Sequence, residues 1–524
     1  MKSELTSRWT LPPSWWRFLI VILLVAGVFF RFVNLGDKVY WHDETLTSLT
    51  ISGYRWTEMI EQVFDGSEIG IEDLQKFQRT NPEKGLIDTV SSLAVDFPEH
   101  PPLYYAIAHL WNSFFGNSPA VTRSLSAFFS LFAFPSIYWL CLELFESSLV
   151  GWIAIAILAV SPFHMLYAQE AREYSLWTVT ILLMSAALLR SLRVKTKSSW
   201  VIYAATVTLG LYTYPFSALV VIGHGIYVLI SESFRITKTL IAFAIAAIAG
   251  FLVFAPWIIV ILTNPGSLPA SSWTSQKMAI ISLIQIWIGN LSRIFFDLNL
   301  DSKSQLIYTV APTLLVLILI GYSLYFLCRT TSKNIWLFVL TLIVFNALSL
   351  ILPDLILGGR RSSVSRYMLP SYLGIQLAVA YLINAKTSVL SFSRRMWQII
   401  VLVIISSGFI SCAVSSQAET WWNKKNSHNN PQTARIINAA TRPLLVSSNY
   451  NLNPGELLSL SYLLDPKVRL LLVLDPNIPK LPDGFSDVFV FNPSKKLRYT
   501  LVGDKKQKLE QVYPAQARLW RIKI

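Results

Sequence analysis

Apolar residues in this chain come in long unbroken blocks. Near 16–33, 120–141, 149–168, 174–190, 200–214, 215–231, 239–263, 306–328, 335–352, 367–384 and 396–415 almost every position is apolar. A block of about twenty such residues can cross a hydrocarbon core, and with no water there to satisfy the backbone the segment must be helical. The pattern therefore predicts about eleven membrane-crossing helices. The first block has a basic start at Arg8 and Arg17 and no small-x-small cleavage site after it, so it reads as an uncleaved anchor. No internal repeat or low-complexity tract interrupts the series.

The polar positions between blocks set the sides. Arg190, Arg193, Lys195 and Lys197 share one loop, Arg235 and Lys238 a second, Arg329 and Lys333 a third, and Lys386, Arg394 and Arg395 a fourth. Each is two blocks beyond the last, and short basic loops stay in the cytoplasm. The basic N-terminus has the same parity. The expectation is an integral protein of the plasma (inner) membrane, N-terminus cytoplasmic and C-terminus extracytoplasmic. The apolar stretch Pro102 to Phe115 is about fourteen residues long, short for a span. It is placed as an outer-surface or re-entrant helix, which keeps the loops holding Asp43 and Glu170 on the same outer side. The loop at 143–148 is then cytoplasmic although it has no Lys or Arg.

Helix periodicity reappears in the first outer loop, 34–119. Trp56, Met59, Ile60, Val63 and Phe64 repeat at helical spacing, as do Leu86, Ile87, Val90, Leu93, Ala94 and Phe97. Amphipathic helices lying on the membrane and a small packed helical lid both satisfy this pattern. After residue 415 the chain turns polar, with short apolar runs at 443–447, 468–474, 487–491 and 518–524 and a helical stretch near 456–464. The expected organisation is a transmembrane domain over 1–415 and a small extracytoplasmic α/β domain over 416–524. No catalytic motif stands out in the latter, so packing or acceptor contact is its default role.

Composition agrees with a membrane solvent: 53% of the 524 residues are hydrophobic and 14% charged. The net charge of +14 would point to nucleic acid in a soluble protein. Here the basic residues punctuate apolar blocks, which makes them topology signals, and no nucleic-acid partner is expected. Cys141, Cys328 and Cys412 lie in or beside apolar blocks without CxxC spacing, which argues against a disulfide framework or zinc site.

Three polar clusters carry candidate chemistry. VYWHDETLTSL places His42, Asp43 and Glu44 just beyond the first span, where adjacent carboxylates suit general-base work and burial would raise one pKa. The same carboxylates also fit as caps of a helix starting near Thr45. YAQEAREYS packs Gln169, Glu170, Arg172, Glu173 and Tyr174 between two blocks, as active groups or as solvated span ends. GGRRSSVSRYMLP sets Arg360, Arg361 and Arg366 on the outer side, against the charge bias. Guanidinium groups at headgroup depth would cradle a lipid phosphate, or attract anionic lipids in general. His100 precedes Pro101 and Pro102, which stiffen the backbone there; His100 itself could meet substrate or only orient the chain.

In their order and spacing, Asp43-Glu44, His100-Pro-Pro-Leu-Tyr-Tyr, Arg123, Gln169-Glu-Ala-Arg-Glu-Tyr-Ser and Arg366-Tyr-Met-Leu-Pro resemble the GT-C superfamily of membrane glycosyltransferases. The branch they are most similar to is that of protein O-mannosyltransferases and the lipid A aminoarabinose transferase, family 39-like, over roughly 16–385. The resemblance implies a GT-C type polytopic helical fold and a polyprenyl-phosphate-linked sugar donor. It also implies transfer on the outer face to a lipid, glycan or protein acceptor, among membrane lipids. A first-loop carboxylate acting on the acceptor carries over to Asp43, with Glu44 beside it and Glu170 as the second acidic residue. His100, Arg172, Tyr174, Arg360, Arg361, Arg366 and Tyr367 form the expected substrate-binding set. No metal or other cofactor is expected, because arginines can neutralise a phosphate diester. The C-terminal segment matches no recognised acceptor-defining domain, which leaves the acceptor open. The rival class is a multi-pass transporter or lipid flippase. Coupled transporters keep ionisable groups at the midplane, whereas these blocks have essentially no Asp or Glu inside them.

Overall fold

Every apolar block folds as helix, and the length of each helix decides whether it can span. The computed structural model describes residues 14–264, 272–299, 307–388, 392–475, 481–503, 508–513 and 518–523. Among them, seven segments are long and apolar enough to cross: Pro119–Phe145, Tyr174–Val194, Lys238–Thr263, Tyr308–Thr330, Lys333–Ile356, Ser365–Thr387 and Arg394–Ser416. An eighth, Ser148–Ala159 with Pro162–Ala168, is bent by 64° at its break. The remaining three of the eleven blocks form the helices Ser14–Phe32, Lys197–Thr213 and Ser217–Ser231, the last two of 17 and 15 residues. Among the described residues the count by length and apolarity is thus seven or eight; Lys197–Thr213 and Ser217–Ser231 are shorter than about eighteen residues, the length a hydrocarbon core asks for, whereas Ser14–Phe32 has 19. Pattern reading also missed the apolar helix Ile280–Ser292, which is only 13 residues long and carries Gln285 and Asn290.

The helices sort by what surrounds them. The most apolar windows of Tyr174–Val194 and Ser365–Thr387 are 83% buried, whereas those of Lys238–Thr263 and Tyr308–Thr330 are 28% and 22% buried. Bare apolar faces of that extent need lipid around them, so the chain is an integral membrane protein whose first pair of helices is central and second pair peripheral. At the broken span, Pro162 begins the second helix at a position where its missing N–H costs nothing. The carbonyls left at the end of the first helix are met by Arg31. Its Nη1 donates to Ala159 O at 2.9 Å and its Nη2 to Leu158 O at 3.1 Å. A cation there also complements the helix dipole, which explains an arginine buried within an apolar block.

Five strands after the span Arg394–Ser416 and one from the first long loop form a six-stranded sheet, in the order β1 (Asp65–Ile69), β3 (Arg469–Val473), β2 (Pro443–Ser448), β4 (Asp487–Phe491), β6 (Leu519–Lys523), β5 (Lys508–Tyr513). Its centre is parallel, β3–β2–β4, and its flanks antiparallel. Central strands covered on both faces read as continuous apolar runs, and PLLVSS, RLLLV and DVFVF do so. Alternate residues serve opposite faces. Leu444, Val446, Leu471 and Val490 pack on Leu497 and Leu501, while Leu445, Leu470, Leu472 and Phe489 pack on Trp56, Met59, Phe64 and Phe77. The second face is therefore covered by the loop after the first helix, and β1 itself belongs to that loop, pairing Glu68 with Leu471. Of the two arrangements open for the helices Trp56–Val63 and Leu86–Asp96, the first is thus a packed one. Leu86–Asp96 packs Leu93 inward and leaves Ile87 84% exposed.

Candidate functional site

The helix His42–Ile51 places the first acidic pair. Its N-terminus follows Trp41, and Asp43 and Glu44 lie in its first turn, where a helix dipole favours negative charge. Their surroundings separate them. Glu44 is fully buried, and Arg123 grips it with both edges of the guanidinium, Nε to Oε1 at 2.7 Å and Nη2 to Oε2 at 2.7 Å. Its carboxylate also accepts from Ala171 N at 2.9 Å, Lys424 Nζ at 3.1 Å and Trp41 N at 3.3 Å. The other donors of Arg123 go to the carbonyls of Leu35, Lys38 and Val39 at 2.7, 2.9 and 2.8 Å, so none is left over. Burial alone would raise the Glu44 pKa. The charges of Arg123 and Lys424 and the hydrogen bonds from Arg123 and Ala171 outweigh it, and the value falls to about 2. Glu44 is a fixed anion with no capacity left for a proton or a ligand.

Asp43 stands apart from that frame, its side chain 20% exposed and a single ion pair away from Arg366, Nη2 to Oδ2 at 3.4 Å. Arg366 comes from the turn Ser365–Met368, and its guanidinium lies over three rings, Tyr174 at 5.4 Å, Tyr367 at 5.6 Å and Trp41 at 6.0 Å. Its Nε has no partner. Stacking of this kind holds a guanidinium in place without consuming its donors. Asp43 is also tied through its backbone, since Arg172 Nη1 donates to Asp43 O at 3.4 Å and to Thr47 Oγ1 at 3.2 Å.

The loop Gln169–Glu173 brings the second acidic pair to the same place. Glu170 is fully buried, accepting from Asn423 Nδ2 at 3.2 Å with Lys424 Nζ 3.8 Å away, while its Oε1 has no hydrogen-bond partner. Burial raises its pKa, and the neighbouring Glu44 and Asp43 add to the rise against the pull of Lys424 and Arg366. Glu173 is the opposite case. Burial would raise it, but Arg172 and His100 bring it down to about 2. His100 joins the second cluster, with Nδ1 2.9 Å from Glu173 Oε1 and Nε2 3.0 Å from Arg172 Nη2. A guanidinium can only donate, so Nε2 accepts and Nδ1 carries the hydrogen that goes to Glu173. His100 therefore has a side-chain role in this network. Tyr105 OH donates to Glu173 Oε2 at 3.2 Å, and Tyr174, Tyr214 and Tyr367 form a ring-on-ring wall beside it.

The geometry thus gathers Asp43, Glu44, Glu170, His100, Arg172, Tyr174, Arg366 and Tyr367. Arg360 and Arg361 turn elsewhere. Arg361 pairs with Asp354 at 3.2 Å and Ser275 at 3.0 Å, and Arg360 lies over Trp273 at 5.3 Å. They brace the end of the helix Asn346–Ile356, because Gly358 and Gly359 at positive φ swing the chain back toward Asp354. Sequence reasoning passed over two buried lysines. Lys38 donates to Gln169 Oε1 at 3.1 Å, and burial together with Arg123 and Lys424 pushes its pKa down to about 7. Lys424 is 1% exposed and sits between Glu44 and Glu170. Neither lies in a motif; the only signal was WWNKK following an apolar block. Among the described residues no three His, Cys, Asp or Glu side chains gather as a metal would require.

Residues 99–260 match the sequence model of the dolichyl-phosphate-mannose-protein mannosyltransferase family, a stretch that holds His100, Arg123 and the Gln169–Tyr174 cluster. No curated protein sequence matches the chain. In fold the chain is similar to ArnT from Cupriavidus metallidurans, solved bound to undecaprenyl phosphate, with a TM-score of 0.57 at 12% identity over 98% of both chains. The apo structure of that protein gives 0.54 at 12% identity over 97% of both. The oligosaccharyltransferase of Archaeoglobus fulgidus gives 0.49 at 13% identity over 88% of this chain and 65% of that one. At such identities the likeness is one of fold, and the fold is that of the GT-C glycosyltransferases, as the sequence motifs had indicated.

Proposed function

We propose that this chain is a glycosyltransferase that moves a sugar from a polyprenyl-phosphate donor to a lipid, glycan or protein acceptor at the outer face of the plasma membrane, with Asp43 as general base. The observation that carries this reading is the Asp43–Arg366 pair, the one acid–base contact of the cluster whose members both keep part of their surface open. Each holds the other. A donor phosphate diester entering beside Arg366 takes over the guanidinium, which matches two phosphate oxygens better than one carboxylate oxygen at 3.4 Å. Asp43 is then released to accept the proton of the acceptor hydroxyl as its oxygen bonds to the anomeric carbon. The bond from that carbon to the phosphate oxygen breaks on the opposite face, so the configuration inverts. The leaving polyprenyl phosphate keeps the bonding electrons, and Arg366 stabilises the charge that accumulates there. Glu44, Arg123 and Lys38 hold the frame. Glu170, His100, Arg172, Tyr174 and Tyr367 line the space for the sugar. The undecaprenyl phosphate bound to ArnT and the dolichyl-phosphate-mannose donors of the matched family support a polyprenyl carrier. The N-terminus is cytoplasmic and the sheet extracytoplasmic in this reading.

The test is purified chain in lipid nanodiscs, incubated with a panel of radiolabelled polyprenyl-phosphate sugars. Free polyprenyl phosphate should appear when an acceptor lipid extract is added. Failure across donors and acceptors, with the protein intact, would overturn the proposal. The arginines give an internal contrast. Arg366→Ala should lower kcat/KM by about a hundredfold or more, the scale for losing a charge aimed at the leaving group. Arg361→Ala, which removes the ion pair of Asp354, should lower the unfolding temperature and change kcat/KM only a few-fold. Equal effects of the two on kcat/KM would place the phosphate elsewhere.

A further inference from the structure

The segment after the last span is fastened by the side chains of Trp421, Trp422, Asn423, Lys424 and Ser427, and two of them, Asn423 and Lys424, reach the acidic cluster. Trp421 Nε1 and Trp422 Nε1 both donate to Asp297 Oδ2, at 2.9 and 2.6 Å, and Arg293 lies 3.9 Å over the Trp422 ring. Asn423 Nδ2 donates to Glu170, Lys424 reaches Glu44 and Glu170, and Ser427 Oγ accepts from His42 N at 3.0 Å while donating to Glu456 Oε1 at 2.7 Å. Glu456 in turn is held by Arg518 at 3.0 Å, at the foot of β6. The helix carrying Glu456 comes so close that a side chain at Gly455 would collide with the His42 ring. Docking a loop needs none of this polar apparatus. Burying an ammonium group is costly unless it answers a charge, and apolar residues would seal the same surface at less expense.

Lys424 donates to Glu44 at 3.1 Å and stands 3.8 Å from Glu170, so its charge serves both carboxyl groups. Arg123 already neutralises Glu44 with two short, parallel hydrogen bonds. Among the described residues the buried carboxyl of Glu170 has no arginine at ion-pair distance, and the cation nearest it is Lys424. We infer that the Trp421–Ser427 strap is part of the active site, and that Lys424 is the positioning residue that keeps Glu170 ready to accept hydrogen bonds from the hydroxyls of the donor sugar. This rests on the glycosyltransferase reading above. The sheet beyond the membrane thereby acquires a role, since through Glu456 and Ser427 it holds the strap, and through the strap it shapes the sugar site.

The consequence is visible in pH dependence. Glu170 is faced by Lys424 and Asn423 from the strap, Asp43 and Glu44 from the His42–Ile51 helix, Arg366 from its turn, Arg123 from the Pro119–Leu131 helix and Tyr167 from Pro162–Ala168. Burial and the two acids favour its neutral form, and Lys424 opposes them first. Without the ammonium, Glu170 takes up its proton at higher pH, and a protonated carboxyl loses acceptor capacity. The experiment is the pH profile of kcat/KM for polyprenyl phosphate release by the wild type, Lys424→Met, Lys424→Arg and Asn423→Ala, each checked for monodispersity. If the wild type releases no polyprenyl phosphate, the glycosyltransferase reading itself fails. If it does, Lys424→Met should move the acid limb upward by about one pH unit or more, with KM for the donor rising more than kcat falls. Lys424→Arg should restore most of the limb. Asn423→Ala removes only a neutral donor and should shift it in the same direction by less, and it decides the matter should Lys424→Met not fold. An acid limb unmoved in every folded variant, or Lys424→Arg as impaired as Lys424→Met, overturns the inference.

Discussion

Asp43→Asn is expected to remove sugar transfer while leaving the protein folded and able to bind donor. General-base assistance is worth about 10²–10⁴-fold in rate, and the loss should fall in that range or beyond. The fold should survive because Asp43 is the least embedded acid of the cluster. Its carboxylate has one ion pair, at 3.4 Å, and its helix is held through the backbone by Arg172 and through Glu44 by Arg123. Glu44 cannot take over the base role next door, since Arg123, Lys424, Ala171 and Trp41 occupy its oxygens. Asn keeps the shape but cannot accept the acceptor's proton. The loss should therefore appear in kcat, with donor KM little changed or lower, because Arg366 is then free of its carboxylate partner. Single-turnover release of labelled polyprenyl phosphate, alongside donor binding by the same preparation, measures both. Transfer by Asp43→Asn at the wild-type rate would remove Asp43 from the mechanism.

What could be read from the sequence follows from the range of the physics involved. Burial in a membrane is a property of continuous residues, so all eleven apolar blocks appear as helices. Two of those helices, Lys197–Thr213 and Ser217–Ser231, are short for a span, which composition does not show. The acidic residues were visible because charges beside apolar blocks are conspicuous. Their convergence was inferred from parity, and the hydrogen bond from Ala171 N to Glu44 now joins the two loops directly. The arginine cluster misled in part, since Arg360, Arg361 and Arg366 are neighbours in sequence yet the turn Ser365–Met368 sends only the last toward Asp43. Lys38 and Lys424 were illegible for a related reason. A lysine beside a span looks like any topology signal, and its burial depends on partners up to 380 positions away. The same holds for β1, whose sequence DGSEI has no strand alternation and becomes a strand only against β3.

Arg123 is the residue whose loss should cost the fold most. Its guanidinium, 1% exposed, joins the Pro119–Leu131 helix to Glu44 and to three carbonyls of the chain between the first span and the His42–Ile51 helix. Arg123→Met would strand those carbonyls and leave Lys424 as the one cation paired with Glu44 among the described residues, and removing one partner of a buried pair typically costs about 3–5 kcal/mol. The variant should unfold at markedly lower temperature in detergent, or fail to accumulate, before any effect on chemistry can be seen. The pair also has a pH signature. Glu44 ionises at about 2 in the folded chain against an ordinary 4.5. A depressed carboxylate contributes stability that is fully present above the unfolded value and disappears as the pH falls through the folded one. That contribution, on the order of 3 kcal/mol, should therefore be complete above about pH 5 and be lost toward pH 2. Glu44→Gln, which cannot ionise, should be less stable than the wild type at pH 7 and converge with it as the medium is acidified. Unfolding temperatures measured from pH 7 to pH 3 would show this, and two parallel curves separated by a constant gap would mean that the charge of Glu44 does not hold this part of the chain together.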